Sequence, residues 1–232
     1  MDSAVKTAIF IYLMYNVIYL MYNTKNYEDT ENKILGNLLR MPLESKSLHQ
    51  IAVDTKLSYV TVHKVVPRLI KRKLLSQEKK GKANLISIDF ENAELEKLSS
   101  ASLYEKSSLM KKYPKLTLLS REIEEALTGK FYILLLFGSY AKESPGKDSD
   151  IDLLFIIPRS KDIEIYKEKV NNSLRLYPEV KKDFNIVSTD DFMDMLNEKY
   201  TVGRSAFQRG IVLFGTEHYY SMVKKYVRTK GY

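Results

Sequence analysis

Between Asp29 and Asp89 the apolar residues recur first at helical spacing and then at strand spacing. Ile34, Leu35, Leu38 and Leu39 mark one face of a first helix, with Thr30 as its expected N-cap. Met41 and Pro42 end it, because the residue before a proline is pushed out of the helical region. Leu48, Ile51 and Ala52 mark a second helix over about 47–55, followed by a tight turn at Lys56 and Leu57. Ser58 is the expected cap of a third helix that carries Val62, Val65, Val66, Leu69 and Ile70 on one side. Pro67 inside it removes one backbone hydrogen bond and predicts a kink. Leu75 to Glu78 and Leu85 to Phe90 then read as strands joined by Lys79, Lys80, Gly81 and Lys82. From Asn92 to Lys112 the chain is polar and helix-prone, with Leu95, Leu98, Leu103 and Leu109 as sparse anchors.

After Tyr113 and Pro114 break that stretch, an amphipathic helix is predicted over 116–127, closed by Gly129. The pattern then changes to continuous apolar runs, Phe131 to Phe137 and Ile151 to Ile157, which is how strands covered on both faces look. A helix is predicted over about 162–176. A strand over 180–188 follows, with Asp183, Asn185 and Val187 on one face and Phe184 and Ile186 on the other. Thr189 or Asp190 is the expected cap of the next helix. Gly210 ends a further helix before a β-type run from Ile211 to Phe214, and a basic helix is expected from Tyr219 to about Lys230. Upstream, Ala8 to Tyr22 is almost wholly apolar and repeats Ile-Tyr-Leu-Met-Tyr-Asn at a seven-residue offset. This stretch is short for a membrane span, which needs about 20 residues. Three readings stay open for it: a helix docked on the body or on a partner subunit, a membrane-touching tail, or an extension without a role. The expected organisation is an apolar segment at 1–26, one unit at 27–90, a linker helix at 91–114 and a second unit at 115–232.

The densest chemistry lies between the two apolar runs. Asp150 and Asp152 open the second run two residues apart, so both project to one side of the strand start, where they can share a divalent cation. Gly138 and Ser139 close the first run in a turn whose backbone N–H groups suit a phosphate. Gly138, Ser139, Ala141, Ser149, Asp150, Asp152 and Leu153 fall in place with Gly-Ser-x-Ala-x-Gly, a short gap, then Ser-Asp-x-Asp-Leu. This spacing resembles the signature of the polymerase-β-like nucleotidyltransferase superfamily, in particular its minimal members. The resemblance implies Mg²⁺ (two ions in an active enzyme) held by Asp150, Asp152 and a third carboxylate. It also implies a nucleoside triphosphate bound by Gly138, Ser139, Lys142 and Ser149. Asp183 is the carboxylate on the following strand and the choice for the third ligand or base; a shorter-spaced alignment would put Asn185 there instead. One departure is visible: the second glycine of the signature is Glu143, which places a negative charge near the expected triphosphate. Arg204 and Arg209 are read as surface charges.

The first unit resembles the winged helix-turn-helix DNA-binding fold, with helices over 47–55 and 58–72 and a basic two-stranded wing. The resemblance places the start of the third helix in the major groove, so Ser58, Tyr59, Thr61, His63, Lys64 and Arg68 face DNA, with Lys79, Lys80 and Lys82 on the backbone or minor groove. A formal charge of +8 fits a polyanionic partner. The absence of cysteine excludes disulfides, a thiolate zinc site and a cysteine nucleophile, and is compatible with a cytoplasmic protein. His49, His63 and His218 show no metal-ligand spacing.

The expected fold class is therefore α+β: an N-terminal winged helix-turn-helix plus a C-terminal nucleotidyltransferase fold, a small mixed sheet with helices. The first functional expectation is a Mg²⁺-dependent nucleotidyltransferase coupled to a DNA-binding module, moving a nucleoside monophosphate from a triphosphate to a hydroxyl acceptor. The alternatives are a DNA-binding transcriptional regulator with a nucleotide-sensing or inactive transferase domain, and an antitoxin-like transferase acting on a partner protein. The sequence does not fix the oligomeric state; a homodimer with the apolar N-terminus as contact is one assembly it allows, by analogy with winged-helix regulators.

Overall fold

The computed structural model describes residues 27–81, 83–175 and 181–230. The apolar segment at 1–26 and Lys82 lie outside the described residues. A first helix, α1, occupies 27–39 and buries Ile34, Leu35, Leu38 and Leu39. It is already helical at residue 27, so Thr30 sits within the helix and does not cap it. A two-residue strand β1 (Lys46–Ser47) leads into α2 (Leu48–Thr55), where the Ser47 hydroxyl accepts from the Gln50 amide. Lys56 takes a left-handed conformation (φ 54°) and turns the chain toward α3 (Tyr59–Lys71). α3 runs through Pro67 with Val62, Val65, Val66 and Leu69 buried. Strands β2 (Leu75–Lys80) and β3 (Ala83–Ile88) form an antiparallel hairpin, and β1 pairs the free edge of β3. That third strand is too short to leave a hydrophobic period in the sequence.

The next helix, α4 (Leu95–Lys112), is long and mostly polar, with few anchors (Leu98, Ala101, Ser102 and Leu109) buried. It is no solvated tether: it packs against the C-terminal helix and the last strand. α5 (Pro114–Ala126) follows, and then a four-stranded sheet begins with β4 (Ile133–Phe137). A single-turn helix, α6 (Gly138–Ala141), leads through a loop to β5 (Ile151–Ile157). A short 3₁₀ turn (Ser160–Asp162) and α7 (Ile163–Leu174) cross to β6 (Lys182–Ser188). Then come α8 (Thr189–Met195), α9 (Val202–Arg209), β7 (Ile211–Phe214) and α10 (Thr216–Lys230). The cap of α8 is Ser188, one residue earlier than expected, because Ser188 and Asp191 form a reciprocal capping box.

The sheet order is β6-β5-β4-β7, with β5 and β6 parallel and the other pairs antiparallel. Alternation along the strands splits the apolar side chains between two layers. Leu134, Leu136, Leu153, Phe155 and Ile157 pack with α5 and α7. Ile133, Leu135, Leu154, Ile156 and Val187 pack with α8, α9 and α10, and that core continues into the apolar residues of α1, α2, α3 and the hairpin. The N-terminal unit and one face of the sheet therefore share one core. Polar ties reinforce it: the Lys224 ammonium donates to the Ala93 carbonyl and Arg228 to the Glu91 carbonyl (3.0 Å).

Candidate nucleotidyl-transfer site

The carboxylates gather where β4, β5 and β6 present their ends. In the antiparallel pair Asp152 stands opposite Phe137, and in the parallel pair it stands beside Asp183. Residues in register on neighbouring strands share a face, so Asp152 and Asp183 lie on the side of the sheet that carries Leu154 and Ile156. Asn185 is one step further in, beside Leu154. Of the two residues weighed for the third position, the register thus brings Asp183 next to Asp152. Asp150 and Asp183 are exposed and Asp152 is half-buried.

Gly138 is required here by geometry. Its φ of 68° lies in the left-handed region, and a Cβ at this position would sit 2.7 Å from the Asp152 Cγ and closer still to a carboxylate oxygen. The turn backbone and the Asp152 carboxylate are thus in direct contact, which is possible only without a side chain at 138. Ser139 follows on the first turn of α6 and is half-buried. Its carbonyl accepts from the Ser144 amide (3.0 Å), which closes the turn. The Ser149 hydroxyl is engaged within the loop, accepting from the Gly146 amide at 2.8 Å. Lys142 is exposed and close enough for its charge to act on Asp152.

Burial pushes the Asp152 carboxyl above its ordinary range, the charges of Asp183 and Asp150 push it further, and Lys142 opposes them. Like charges held together in this way form a site that a cation would relieve. The donors are hard oxygens, which suits Mg²⁺. Among the described residues no three or more His, Cys, Asp or Glu side chains stand in a metal-holding arrangement. Asp150 and Asp183 are exposed, and only Asp152 is half-buried. What the backbone fixes is the register, with Asp152 beside Asp183 on the neighbouring strand.

Glu143, at the position of the second signature glycine, has φ 57°, so it takes the left-handed conformation a glycine would supply. Its charge is not left facing the turn. One carboxylate oxygen accepts from the Arg40 guanidinium and the other from the Lys112 ammonium, each at 2.7 Å. Arg40 also pairs with Glu105 at 2.5 Å. Burial resists ionisation of Glu143, but the Lys112 and Arg40 partners outweigh it and hold its pKa below the usual carboxylate range. The stability this pair contributes is present above the ordinary value of 4.5 and is lost as the pH falls through the depressed folded value. Glu143→Gln should therefore lower the urea midpoint at neutral pH, and the gap from the parent should close on acidification below that range. No local spacing in the sequence links Glu143 to Arg40, Glu105 or Lys112.

The candidate DNA-facing residues separate into two groups. Ser58 caps α3 through the Thr61 amide (3.0 Å), and the two hydroxyls lie 2.8 Å apart, so both are already engaged locally. Tyr59 is 51% exposed, with its ring 5.9 Å from the His63 ring; His63 and Lys64 are exposed beside it. Arg68 is turned back: it donates to the Tyr27 hydroxyl (3.0 Å) and lies over that ring. Lys79 and Lys80 are exposed at the end of β2. Arg204, read as a surface charge, donates instead to the Leu196 carbonyl and is half-buried. Among the described residues no helix is long and apolar enough to cross a membrane.

Comparison with curated proteins and with solved structures gave no significant match. Residues 121–219 match the family model described as polymerase beta, nucleotidyltransferase. The four-stranded sheet, the Gly138–Ser139 turn and the three carboxylates all fall inside that match, which supports a polymerase-β-like nucleotidyltransferase domain over this part of the chain.

Proposed function

We propose that the chain is a Mg²⁺-dependent nucleotidyltransferase whose N-terminal unit is a winged helix-turn-helix that binds duplex DNA. The observation that carries the reading is Asp152, set beside Asp183 in strand register and pressed against Gly138 at the end of β4. Asp150, Asp152 and Asp183 would hold the metal, which when bound offsets their charge and polarises the phosphates. The Gly138–Ser139 turn, with Lys142, binds and orients the triphosphate. Asp183 takes the proton from the acceptor hydroxyl as its oxygen attacks the α-phosphorus. The bond to the β-phosphate breaks, and pyrophosphate leaves. Label from an α-³²P nucleoside triphosphate should pass to an acceptor, with pyrophosphate released, in the parent and not in Asp150→Ala. Equal transfer by both proteins would refute the reading.

The DNA-binding half is supported by the helix-turn-helix and hairpin geometry over 47–88 and by the exposed polar side of α3. His63 and Lys64 there, with Lys79 and Lys80 on the hairpin, are free to reach a duplex. Lys64→Ala should weaken duplex binding on every sequence and reduce the salt dependence of log K by about 0.9. Fluorescence anisotropy with labelled duplexes across a salt series checks this. An unchanged slope would remove α3 as the DNA-facing element.

A further inference from the structure

We infer that Arg40, from the N-terminal unit, is a positioning residue for the Gly138–Ser139 turn and acts through Glu143; this rests on the nucleotide-binding reading of that turn. Arg40 directly follows α1 and lies outside the residues that match the family. Three contacts fix its guanidinium: Glu105 at 2.5 Å, Glu143 at 2.7 Å and, more loosely, the Ala141 carbonyl at 3.4 Å. Two of them belong to the segment that closes the turn. That segment is bound internally to the turn it follows, by Lys142 N–H to the Gly138 carbonyl (3.2 Å), Glu143 N–H to Tyr140 (3.1 Å) and Ser144 N–H to Ser139 (3.0 Å).

A glutamate has no intrinsic preference for the left-handed conformation that Glu143 adopts at φ 57°. A glycine would adopt it at little cost, but it would also leave the turn without an external anchor. Here the conformation is held from outside, by one cation just past the end of α1 (Arg40) and one at the end of α4 (Lys112). Lys112 supplies one point charge, whereas the planar Arg40 fork engages Glu105, Glu143 and the Ala141 carbonyl together. The orientation of the Gly138 and Ser139 amides is therefore set partly by the helix that begins the N-terminal unit. An inter-unit brace with no bearing on the turn is the alternative, and the two differ in what a mutation does to the turn itself.

The test uses the full chain with Arg40→Gln, Arg40→Lys, Glu143→Gln and the Arg40→Gln/Glu143→Gln double variant. Two quantities are measured: the Kd for a non-hydrolysable ATP analogue with Mg²⁺, and amide hydrogen exchange of the 138–144 segment without ligand. Arg40→Gln should weaken the analogue about tenfold, the loss of about one charge-assisted hydrogen bond, and speed exchange at 138–144. Arg40→Lys should restore only part of both, since an ammonium cannot span three acceptors. The double variant should bind about as well as Glu143→Gln alone, as expected for residues acting through one another. Lowered thermal stability with parental Kd and parental exchange would mean a brace only and would overturn the inference. If the parent itself binds no analogue, the proposed function fails separately, and exchange at 138–144 decides: faster in Arg40→Gln supports the inference, unchanged overturns it.

Discussion

Asp152→Asn should abolish nucleotidyl transfer while leaving the metal-free protein at least as stable as the parent. The activity loss is expected to be about 10³-fold or more, equivalent to about 4 kcal/mol of transition-state stabilisation. The stability effect has the opposite sign for a specific reason. Burial and the neighbouring Asp183 and Asp150 raise the Asp152 pKa. A group raised in the folded state contributes stability below its unfolded pKa and loses it as the pH rises through the folded one. At neutral pH the ionised Asp152 is therefore a cost to the metal-free fold, and asparagine removes that cost without changing shape. Mg²⁺ should raise the melting temperature of the parent by mass action and leave that of Asp152→Asn nearly unchanged. Thermal melts with and without Mg²⁺, beside a transfer assay, read both effects. A variant that loses stability and keeps activity would place Asp152 in the scaffold and not in the chemistry.

Gly138→Ala should damage the same site from the other side. An alanine at φ 68° costs roughly 1–2 kcal/mol of backbone strain. Its Cβ would also occupy the space of the Asp152 carboxylate, so either the turn or the carboxylate must move. The expected result is a loss of about 2–3 kcal/mol in chemical denaturation together with loss of transfer. Gly215 supplies the control. It too is left-handed (φ 76°), and a Cβ there meets the Tyr132 carbonyl at 2.9 Å, at the far end of the sheet from the carboxylates. Gly215→Ala should lose comparable stability and keep nucleotide binding. If both variants kept binding equally, the contact between turn and carboxylate would have no functional weight.

How much of this was legible in the sequence follows from the range of each interaction. The Gly138–Ser139 turn and the Asp150–Asp152 pair were readable because local spacing alone sets them: a strand end, a turn and a two-residue period. The candidate third carboxylate was ambiguous, because Asp183 and Asn185 have the same parity on β6. Only the parallel register with β5 puts Asp183 beside Asp152. The meaning of Glu143 was not legible at all. Its partner Arg40 lies 103 residues upstream, and no periodicity connects them. Helix ends slipped where two residues compete for a cap: Ser188 wins over Thr189 because Asp191 returns its hydrogen bond. α4 looked like a polar connector because an 18-residue helix can be anchored by a few small or well-spaced apolar residues, here Leu98, Ala101 and Leu109.

The N-terminal unit and one sheet face share one apolar core, and Asp152 and Asp183 lie on that same face of the sheet.

The most direct measurement is calorimetric titration of the full chain with a non-hydrolysable nucleoside triphosphate and Mg²⁺, beside the Asp150→Ala/Asp152→Ala variant. The expected result is saturable, Mg²⁺-dependent binding by the parent and none by the folded variant. Absence of binding by a folded parent, or equal binding by both proteins, would contradict the assignment of this carboxylate cluster as a nucleotidyl-transfer site.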